Sequence, residues 1–341
     1  MALRWVKRAC YRLSETFVSS KPASACPAQR LPNADLQSID APLSSAAAFL
    51  VLTVKNDAQS ISRVRAVLAH NTDDLVKGVK LRANGARFIC NVGISHRVWS
   101  ELTKKPMPRE LRPFKAVRGA THEAVATEGD LLYHIRADSM DLIVEFEKLL
   151  LEAFGASVTA VDDVPGFRYF DSRDLLEFVD GTGNPDGLGL PEATLVGEED
   201  ADHAGGSYIV VQKYLHDLST WRGQRVEEQE EIIGRTKFDN VELPDASEGQ
   251  KSHKTLCTIT DADGEHPILR DNMPFAVPGL GHYGTYFIGY SRHLWVIERM
   301  IERMFVRDPP PLHDRILDFS KAVAGVTFFA PSHEFLLNLD E

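Results

Sequence analysis

The chain has 341 residues, of which 43% are hydrophobic and 26% charged, a composition typical of a soluble globular protein with one large domain or two ordinary ones. Its 38 basic and 49 acidic side chains give a net charge of −11, which argues against nucleic acid or an anionic membrane as a partner. The four cysteines are scattered without a CxxC motif, which excludes a zinc ribbon and argues against a disulfide framework.

The first 30 residues carry six basic side chains and only one acidic side chain, Glu15. Organellar transit peptides and disordered bacterial extensions share this composition, and the sequence leaves both open. We therefore set residues 1–40 apart from the fold and expect a cytoplasmic protein, or an organellar one if this segment is a transit peptide. The longest apolar run, residues 46–54, is far shorter than the roughly 20 residues that span a bilayer, so we expect no membrane partner.

Hydrophobic periodicity predicts six elements in a first half, residues 41–164. The predicted strands are 46–54, 87–95, 130–137 and 156–164, and the predicted helices are 57–70 and 139–154. Their order is βαββαβ, which is the ferredoxin-like arrangement.

A second half, residues 206–335, repeats the pattern. Its predicted strands are 206–214, a segment near 254–260, 283–291 and 325–332, and its predicted helices are 216–233 and 293–305. Two such halves, each with one sheet face to bury, predict an α+β fold whose antiparallel sheets pack together near a cleft. The connection between them, residues 165–205, is rich in glycine, proline and aspartate, and connections of this length are typical of functional loops.

The connection contains the motif LLEFVDGTGNPDG at residues 175–187, in which Asp180 precedes three glycines. Its glycine spacing is one residue too long for a dinucleotide fingerprint, and the lysine of a phosphate-binding loop is absent. An EF-hand would need glycine and an acid where Pro185 and Pro191 stand. The motif therefore predicts a rigid turn that presents Asp180, with a purely structural turn as the alternative.

A second motif, EHPILRDNMPF at residues 265–275, places Arg270 and Asn272 on one side of an extended segment. Together with His253 and an aspartate, these are the groups needed to use haem and peroxide. Histidine is a common axial ligand, an acid or base moves a proton between the peroxide oxygens, and a fixed cation stabilises charge as the bond between them breaks. The spacing alone does not bring them together. We interpret His216 as a residue at a helix start and His282 as a loop residue, rather than as rival ligands.

Beyond these single residues, the chain resembles the dye-decolorising peroxidases, and specifically their bacterial cytoplasmic type-B branch. The resemblance covers most of residues 46–333 and rests on motifs that follow in the family's order: GFRYFDSRDLLEFVDGTGNP, GGSYIVVQKYLHDL, EEIIGRTK, ILRDNMPF, GTYFIGYSR and LDFSKAVAGVTFFAPS. Several long matches in one order are more specific than any single motif. The resemblance implies haem b, bound without a covalent link in a cleft of the second half.

The resemblance also implies roles for residues on the peroxide side of the haem. Asp180 corresponds to the family's distal aspartate, Arg270 to its distal arginine, and Asn272 to the asparagine of the same pocket.

On the opposite side, His253 corresponds to the proximal ligand of the haem iron. Asp314, in the segment HDRILDF, resembles the acid that hydrogen-bonds the ligand's other ring nitrogen. Arg235, in IGRTK, is implied as a partner of a haem propionate, because guanidinium groups suit carboxylates.

The chain departs from the family's GxxDG pattern at one position, where Glu177 replaces the first glycine. If that position needs a positive φ, the substitution costs on the order of 1 kcal/mol. It would also place a second carboxylate near Asp180 and raise the pKa of that aspartate. We therefore expect a weaker peroxidase than the family pattern would give.

The implied function is reduction of hydrogen peroxide with oxidation of dyes, phenols or other one-electron donors, in a homodimer or larger homo-oligomer. Two alternatives remain: a haem-binding or haem-handling protein with incidental peroxidase activity, and a redox-inactive interaction module. The acidic run at 226–231 is interpreted as a solvated helix face rather than a Mn²⁺ site.

Overall fold

A computed structural model describes residues 37–83, 85–245, 248–306 and 312–339 of the chain. Most of the N-terminal segment, for which the sequence leaves a transit peptide or an extension open, lies outside these residues. No helix in the described ranges is long and apolar enough to cross a membrane.

Thirteen strands are present in the described residues, and four of them form two small hairpins, at residues 117–124 and 260–265. They are β1 (Ala46–Val54), β2 (Phe88–Ile94), β3 (Val117–Arg118), β4 (Glu123–Ala124), β5 (Leu131–Ala137), β6 (Val158–Phe167), β7 (Ser207–His216), β8 (Thr260–Asp261), β9 (Gly264–Glu265), β10 (Leu269–Arg270), β11 (Met273–Val277), β12 (His282–Ser291) and β13 (Ser320–Ala330).

The helices of the described ranges lie mainly between these strands. They are α1 (Ala58–Ala66), α2 (Thr72–Arg82), α3 (His96–Thr103), α4 (Met140–Phe154), α5 (Gly189–Thr194), α6 (Leu218–Arg222), α7 (Val226–Ile233), α8 (His253–Cys257), α9 (Leu294–Phe305) and α10 (His333–Leu337). A π-helical turn (Val67–Asn71) joins α1 to α2, and short 3₁₀ turns occur at Gly155–Ser157, Phe170–Ser172, Glu198–His203, Pro278–Leu280 and Arg315–Asp318.

The first half forms an antiparallel sheet in the order β2–β5–β1–β6, as a ferredoxin-like βαββαβ unit requires. Its four predicted strands are confirmed to within three residues at each end. Helix α4 also forms as predicted, because apolar side chains at helical spacing, from Leu142 to Phe154, are buried on one face. The predicted helix at 57–70 is too short: helical structure continues through the π-helical turn to Arg82.

The second half has the corresponding order β13–β7–β12, with β10 and β11 both paired to the outer side of β12. The strand predicted near 254–260 is wrong, since this segment forms the one-turn helix α8. Leu256 and Ile259 are both buried three residues apart, a helical spacing that the short apolar run does not distinguish from a strand. The edge position of the sheet is taken instead by β10 and β11.

The single helix predicted at 216–233 is also wrong. Residue 216 still belongs to β7, and the rest divides into α6 and α7. Asp217 caps α6 by accepting hydrogen bonds from the backbone of Ser219 and Thr220, and a second cap at Arg225 starts α7. Two caps within nine residues end one helix and begin another.

The two sheets pack face to face, which confirms the predicted fold class. Side chains that alternate along β1, β7, β12 and β13 fill the space between them. Phe49 of β1 stacks on Tyr286 of β12 with ring centroids 4.2 Å apart, and such a pair contributes about 0.5–1.5 kcal/mol beyond its buried area. A single bridge between Ile94 and Phe329 also joins the sheets edge to edge.

A buried ion pair crosses between the halves and bears on the candidate site. Arg136 Nη1 of β5 donates to Asp271 Oδ2 at 3.1 Å, and both side chains are 1% exposed. Asp271 lies between the candidate residues Arg270 and Asn272. This ion pair therefore ties the segment with Arg270 and Asn272 to the first half. Breaking the pair would be costly, because loss of one partner would leave the other charge buried and uncompensated.

Candidate active site

A chamber of about 180 Å³ lies between the sheet of the second half and helix α9. Four predicted residues line it: Asp180, His253, Arg270 and Asn272. A wider cleft of about 620 Å³ adjoins the chamber and shares Asp180, His253 and Arg270 with it. The fold thus brings together groups from the long connection, from α8 and from the edge of the sheet.

His253 is the first residue of α8 and forms one wall of the chamber. Its Nδ1 lies 2.7 Å from Oδ2 of Asp314, whose side chain is fully buried. Because a carboxylate only accepts hydrogen bonds, Nδ1 carries the proton and Nε2 is the nitrogen left to bind a ligand. The other oxygen of Asp314 accepts from Ile316 N at 3.1 Å, which fixes the carboxylate.

Cys257, one helical turn after His253, is a neighbour that sequence reasoning missed. Its Sγ lies 3.6 Å from Nδ1 and 3.7 Å from Nε2 of the imidazole. Burial alone lowers the pKa of His253, but interactions with Cys257 and Asp314 outweigh it, and the pKa is raised well above 6.5. The spacing of four residues on a predicted helix would have revealed this contact, but the segment reads as a strand in the sequence.

Asp180 lies across the chamber, in the turn that its motif predicts. Its Oδ1 accepts from Gly181 N at 2.7 Å and from Asn272 Nδ2 at 3.4 Å. Asn272 is oriented in turn because its Oδ1 accepts from Ile288 N of β12 at 3.2 Å. Upstream, the indole nitrogen of Trp221 donates to Leu176 O at 3.0 Å and anchors the start of the motif.

Arg270 is held through its backbone rather than by a carboxylate. Asn184 accepts from Arg270 N at 3.0 Å and donates to Arg270 O at 2.7 Å. The guanidinium reaches Gly183 O at 3.3 Å, and a Cβ at Gly183 would lie 2.9 Å from Nη2. A larger residue at this position would therefore displace the guanidinium from its present place, which is one reason for a glycine here.

Glu177 adopts φ +73°, so this position does need the left-handed region. Its side chain pairs with Lys237, whose Nζ lies 2.7 Å from Glu177 Oε2, and it does not line the chamber. The prediction of a second carboxylate from Glu177 in the distal pocket is therefore wrong, since this carboxylate pairs with Lys237 instead. Of the two reasons for expecting a weaker peroxidase, the effect of Glu177 on the pKa of Asp180 no longer holds.

Arg235 lines the wider cleft rather than the chamber. Its guanidinium donates to Asn240 O at 3.1 Å and to Glu242 Oε2 at 3.2 Å, and Lys254 Nζ lies 2.7 Å from the other oxygen of Glu242. The cleft mouth therefore carries two cations that share one acid, Glu242, whose carboxylate is 60% exposed.

Models of both parts of one protein family match the chain: Dyp-type peroxidase, N-terminal, over residues 37–168, and Dyp-type peroxidase, C-terminal, over residues 171–335. The chain belongs to the Dyp-type peroxidase family. The dye-decolorizing peroxidase of Mycolicibacterium paratuberculosis is 48% identical over 307 residues, which cover 90% of this chain and 86% of the relative.

Solved structures agree with this assignment. An arginine-to-leucine variant of DypB from Rhodococcus jostii RHA1, in complex with haem, has a TM-score of 0.86 and 46% identity, and the match covers 89% of this chain and 97% of that one. The encapsulated DyP-type peroxidase from Mycobacterium smegmatis has a TM-score of 0.85 and 47% identity, with 89% and 98% of the two chains covered.

The chamber of this peroxidase fits a haem group on its own chemistry. One imidazole with a buried carboxylate behind it is the ligand set expected for haem iron. The flanking walls are apolar and include Phe287, Met300 and Met304. Gln212 Nε2, also from the wall, is buried without a hydrogen-bond partner in the described part of the chain, as expected beside a ligand-binding space.

His216 is not at a helix start, as interpreted from the sequence, but at the end of β7, where it too lines the chamber. Its Nδ1 lies 2.8 Å from Ser320 Oγ and its Nε2 lies 2.9 Å from Thr285 Oγ1. Burial lowers the pKa of His216 to about 4, so the ring is neutral near pH 7. With both nitrogens engaged, His216 is not available as a ligand in this arrangement.

Asp174 is a chamber residue that sequence reasoning missed. Its Oδ1 accepts from Phe178 N at 3.0 Å. Burial raises the pKa of Asp174 to about 7, and the negative charge of Asp180 contributes in the same direction. A carboxyl group whose pKa lies near neutral pH is therefore close to Asp180.

We expect Asp174 to make stability depend on pH. The folded protein keeps this proton up to about pH 7, whereas the unfolded chain loses it near the ordinary value of 3.8. Between these values the folded state binds more protons, so raising the pH lowers the free energy of unfolding. Relative to Asp174→Asn, the wild type should lose up to about 1.4 kcal/mol per pH unit in this window, measured by urea unfolding. Parallel stability curves for the two proteins would contradict this assignment.

Proposed function

We propose that this chain is a haem-dependent peroxidase that reduces hydrogen peroxide and oxidises small aromatic one-electron donors. The observation that supports it most is the placement of His253 on one wall of the chamber and of Asp180, Arg270 and Asn272 elsewhere around the same space. The haem complex of the related Rhodococcus DypB supports the choice of haem b as the cofactor.

On the proximal side, His253 would bind the iron through Nε2, because Nδ1 is engaged with Asp314. Asp314 accepts the hydrogen bond from Nδ1–H, which would fix the ring and increase its electron donation. Bound haem would supply the redox chemistry, which is the reduction of peroxide followed by acceptance of electrons from two donor molecules.

On the distal side, Asp180 would take the proton from the inner oxygen of peroxide and deliver it to the outer one, so that water leaves. Arg270 would stabilise negative charge on the departing oxygen, since its guanidinium is fixed beside the chamber before peroxide arrives. Asn272 is the positioning residue, because it links Asp180 to the backbone of β12.

A small surface pocket of about 30 Å³ also touches Asp180, Arg270 and Asn272 and opens beside Arg168 and Ser172. A space of this size accommodates one or two water-sized molecules. It would admit peroxide to the distal residues while excluding aromatic donors. Donors would give up electrons at the wider cleft, where Arg235 would also hold a haem propionate.

A haem-handling protein with incidental peroxidase activity would need the same ligand set. The curated relative from Mycolicibacterium is named for dye-decolorizing peroxidase activity, which favours catalysis over transport. Comparing the rate of peroxide turnover with the rate of haem transfer to apomyoglobin separates the two functions, because a carrier should release haem faster than it turns over peroxide.

The test of the proposed function is an absorption spectrum of purified protein reconstituted with haemin, before and after one equivalent of peroxide. We expect a Soret band that changes on addition of peroxide and returns when an anthraquinone dye or a phenol is added. A colourless protein, or a Soret band that peroxide leaves unchanged, would contradict the proposal.

We also propose a cytoplasmic location and a homodimer or larger homo-oligomer. Both rest on the resemblance to the type-B branch. The division into residues 41–164, a connection at 165–205 and a haem-binding half at 206–335 is likewise a proposal, supported by the two ferredoxin-like sheets on either side of the connection.

A further inference from the structure

Outside the chamber, two histidines and an aspartate converge where the halves meet. His122, in the β3–β4 hairpin of the first half, places Nε2 3.0 Å from Asp318 Oδ1. His313, which follows α9 in the second half, places Nε2 2.7 Å from the same oxygen. The two imidazole rings contact each other edge to face with centroids 4.5 Å apart. None of the three lines the chamber or the wider cleft.

We propose that His122, His313 and Asp318 form a binding site for a divalent transition-metal ion of the Zn²⁺ class. The three ligand atoms lie within 4.8 Å of one another. Two imidazoles and a carboxylate suit Zn²⁺, Co²⁺, Ni²⁺ or Cu²⁺, whereas Mg²⁺ and Ca²⁺ prefer sites made of oxygen alone.

The spacing of the ligand atoms is close to what a tetrahedral ion needs. Zinc lies about 2.0–2.1 Å from nitrogen and oxygen ligands, so two of its ligands are separated by roughly 3.3 Å. The nitrogen–oxygen separations of 3.0 and 2.7 Å are about 0.3 and 0.6 Å shorter than this separation. An ion would replace the shared protons after a small opening of the cluster, and the 41% exposure of Asp318 leaves a fourth position open to water.

The neighbours of His313 hold it in the orientation that metal binding requires. Thr121 Oγ1 lies 3.4 Å from Nδ1, so this nitrogen can keep its proton while Nε2 faces the cluster. The backbone is fixed as well, because Gln250 Nε2 donates to His313 O at 2.8 Å. A hydrogen-bonded partner on the second ring nitrogen is a regular feature of histidine ligands.

A metal here would connect the first half to the segment that supports the haem ligand. Asp318 ends the 3₁₀ turn that Asp314 caps, and Asp314 holds His253. His122 belongs to a hairpin of the other half. We therefore infer that the bound ion stabilises the junction of the halves on the proximal side, separately from the peroxide chemistry.

The test is equilibrium dialysis of the haem-loaded, full-length protein against Zn²⁺, with metal content measured by mass spectrometry. Haem loading matters because His253, Cys257 and Asp314 also lie close enough to hold an ion, and haem would occupy His253. We expect one zinc ion per chain and a higher thermal midpoint in its presence. Protein that retains no zinc at millimolar free concentration would overturn the proposal.

Variants locate the ion. His122→Asn keeps a polar side chain beside Asp318 but removes the imidazole ligand, so zinc affinity should fall at least tenfold. His122→Cys supplies another zinc ligand and should retain binding. His282→Ala, which removes an exposed histidine of β12, is the matched control and should bind zinc like the wild type. The haem spectrum reports that each variant is folded, and equal zinc affinity in His122→Asn and the wild type would place the ion elsewhere.

Discussion

His253→Ala is expected to lose the Soret band and, with it, peroxide-driven dye oxidation down to the background of free haem. The imidazole supplies the proposed bond to iron, and the other histidine of the chamber, His216, has both ring nitrogens engaged with hydroxyl groups. The measurement is haem retained after reconstitution and gel filtration, followed by turnover of an anthraquinone dye.

Two variants make this experiment specific. His282→Ala removes an exposed histidine and should keep both haem and activity. Asp314→Asn keeps His253 but replaces the carboxylate that accepts the hydrogen bond from its Nδ1–H. Partners of this kind typically account for roughly 10- to 100-fold in affinity or activity, so we expect a loss of this size. If His253→Ala retains haem like the wild type, the iron is bound by another residue and the proposed site is wrong.

Arg270→Leu is expected to keep haem but react with peroxide about 10²- to 10³-fold more slowly, the range found when one fixed donor to a developing oxyanion is removed. The fold around the residue should survive, because Asn184 holds the backbone of Arg270 rather than its guanidinium. The measurement is the second-order rate of the Soret change after rapid mixing with peroxide.

The control for charge is Arg87→Leu, which breaks an exposed ion pair with Asp138 in the first half and should leave the rate unchanged. The same peroxide rate is measured for Asp180→Asn. Comparing the losses in the two variants shows how much of the rate depends on proton transfer by Asp180 and how much on charge stabilisation by Arg270. A peroxide rate in Arg270→Leu equal to that of the wild type would remove this guanidinium from the mechanism and leave Asp180 as the main distal group.

The sequence was sufficient to predict those strands and helices whose structure follows from the local pattern of apolar residues. The strand at 46–54 is confirmed, since a short and almost continuously apolar run favours a buried strand, and α4 is confirmed because its apolar positions repeat at the helical period. The motifs drew attention to Asp180, Arg270 and Asn272, whereas the roles predicted for these residues came from the resemblance to a family.

The tertiary structure decided what depends on residues far apart in sequence. Asp314 lies 61 positions after His253, and only the packing of α9 against α8 brings the carboxylate to the imidazole. The direction of Glu177 was decided by Lys237, a partner that no local pattern reveals. In the segment predicted as a strand at 254–260, residues up to Cys257 form a helix, and the buried pair Leu256 and Ile259 stands at a spacing that the linear pattern does not assign to either structure.

The sequence by itself determined the first ferredoxin-like half and the family, because periodicity and ordered motifs are properties of the linear chain; in the second half it missed α8 and the division between α6 and α7. Only the tertiary structure decided that four residues share one chamber, that burial raises the pKa of Asp174 beside Asp180, and that His122 meets His313 and Asp318. The physical reason is that proximity, burial and charge interaction are set by packing between distant segments, which spacing along the chain does not encode.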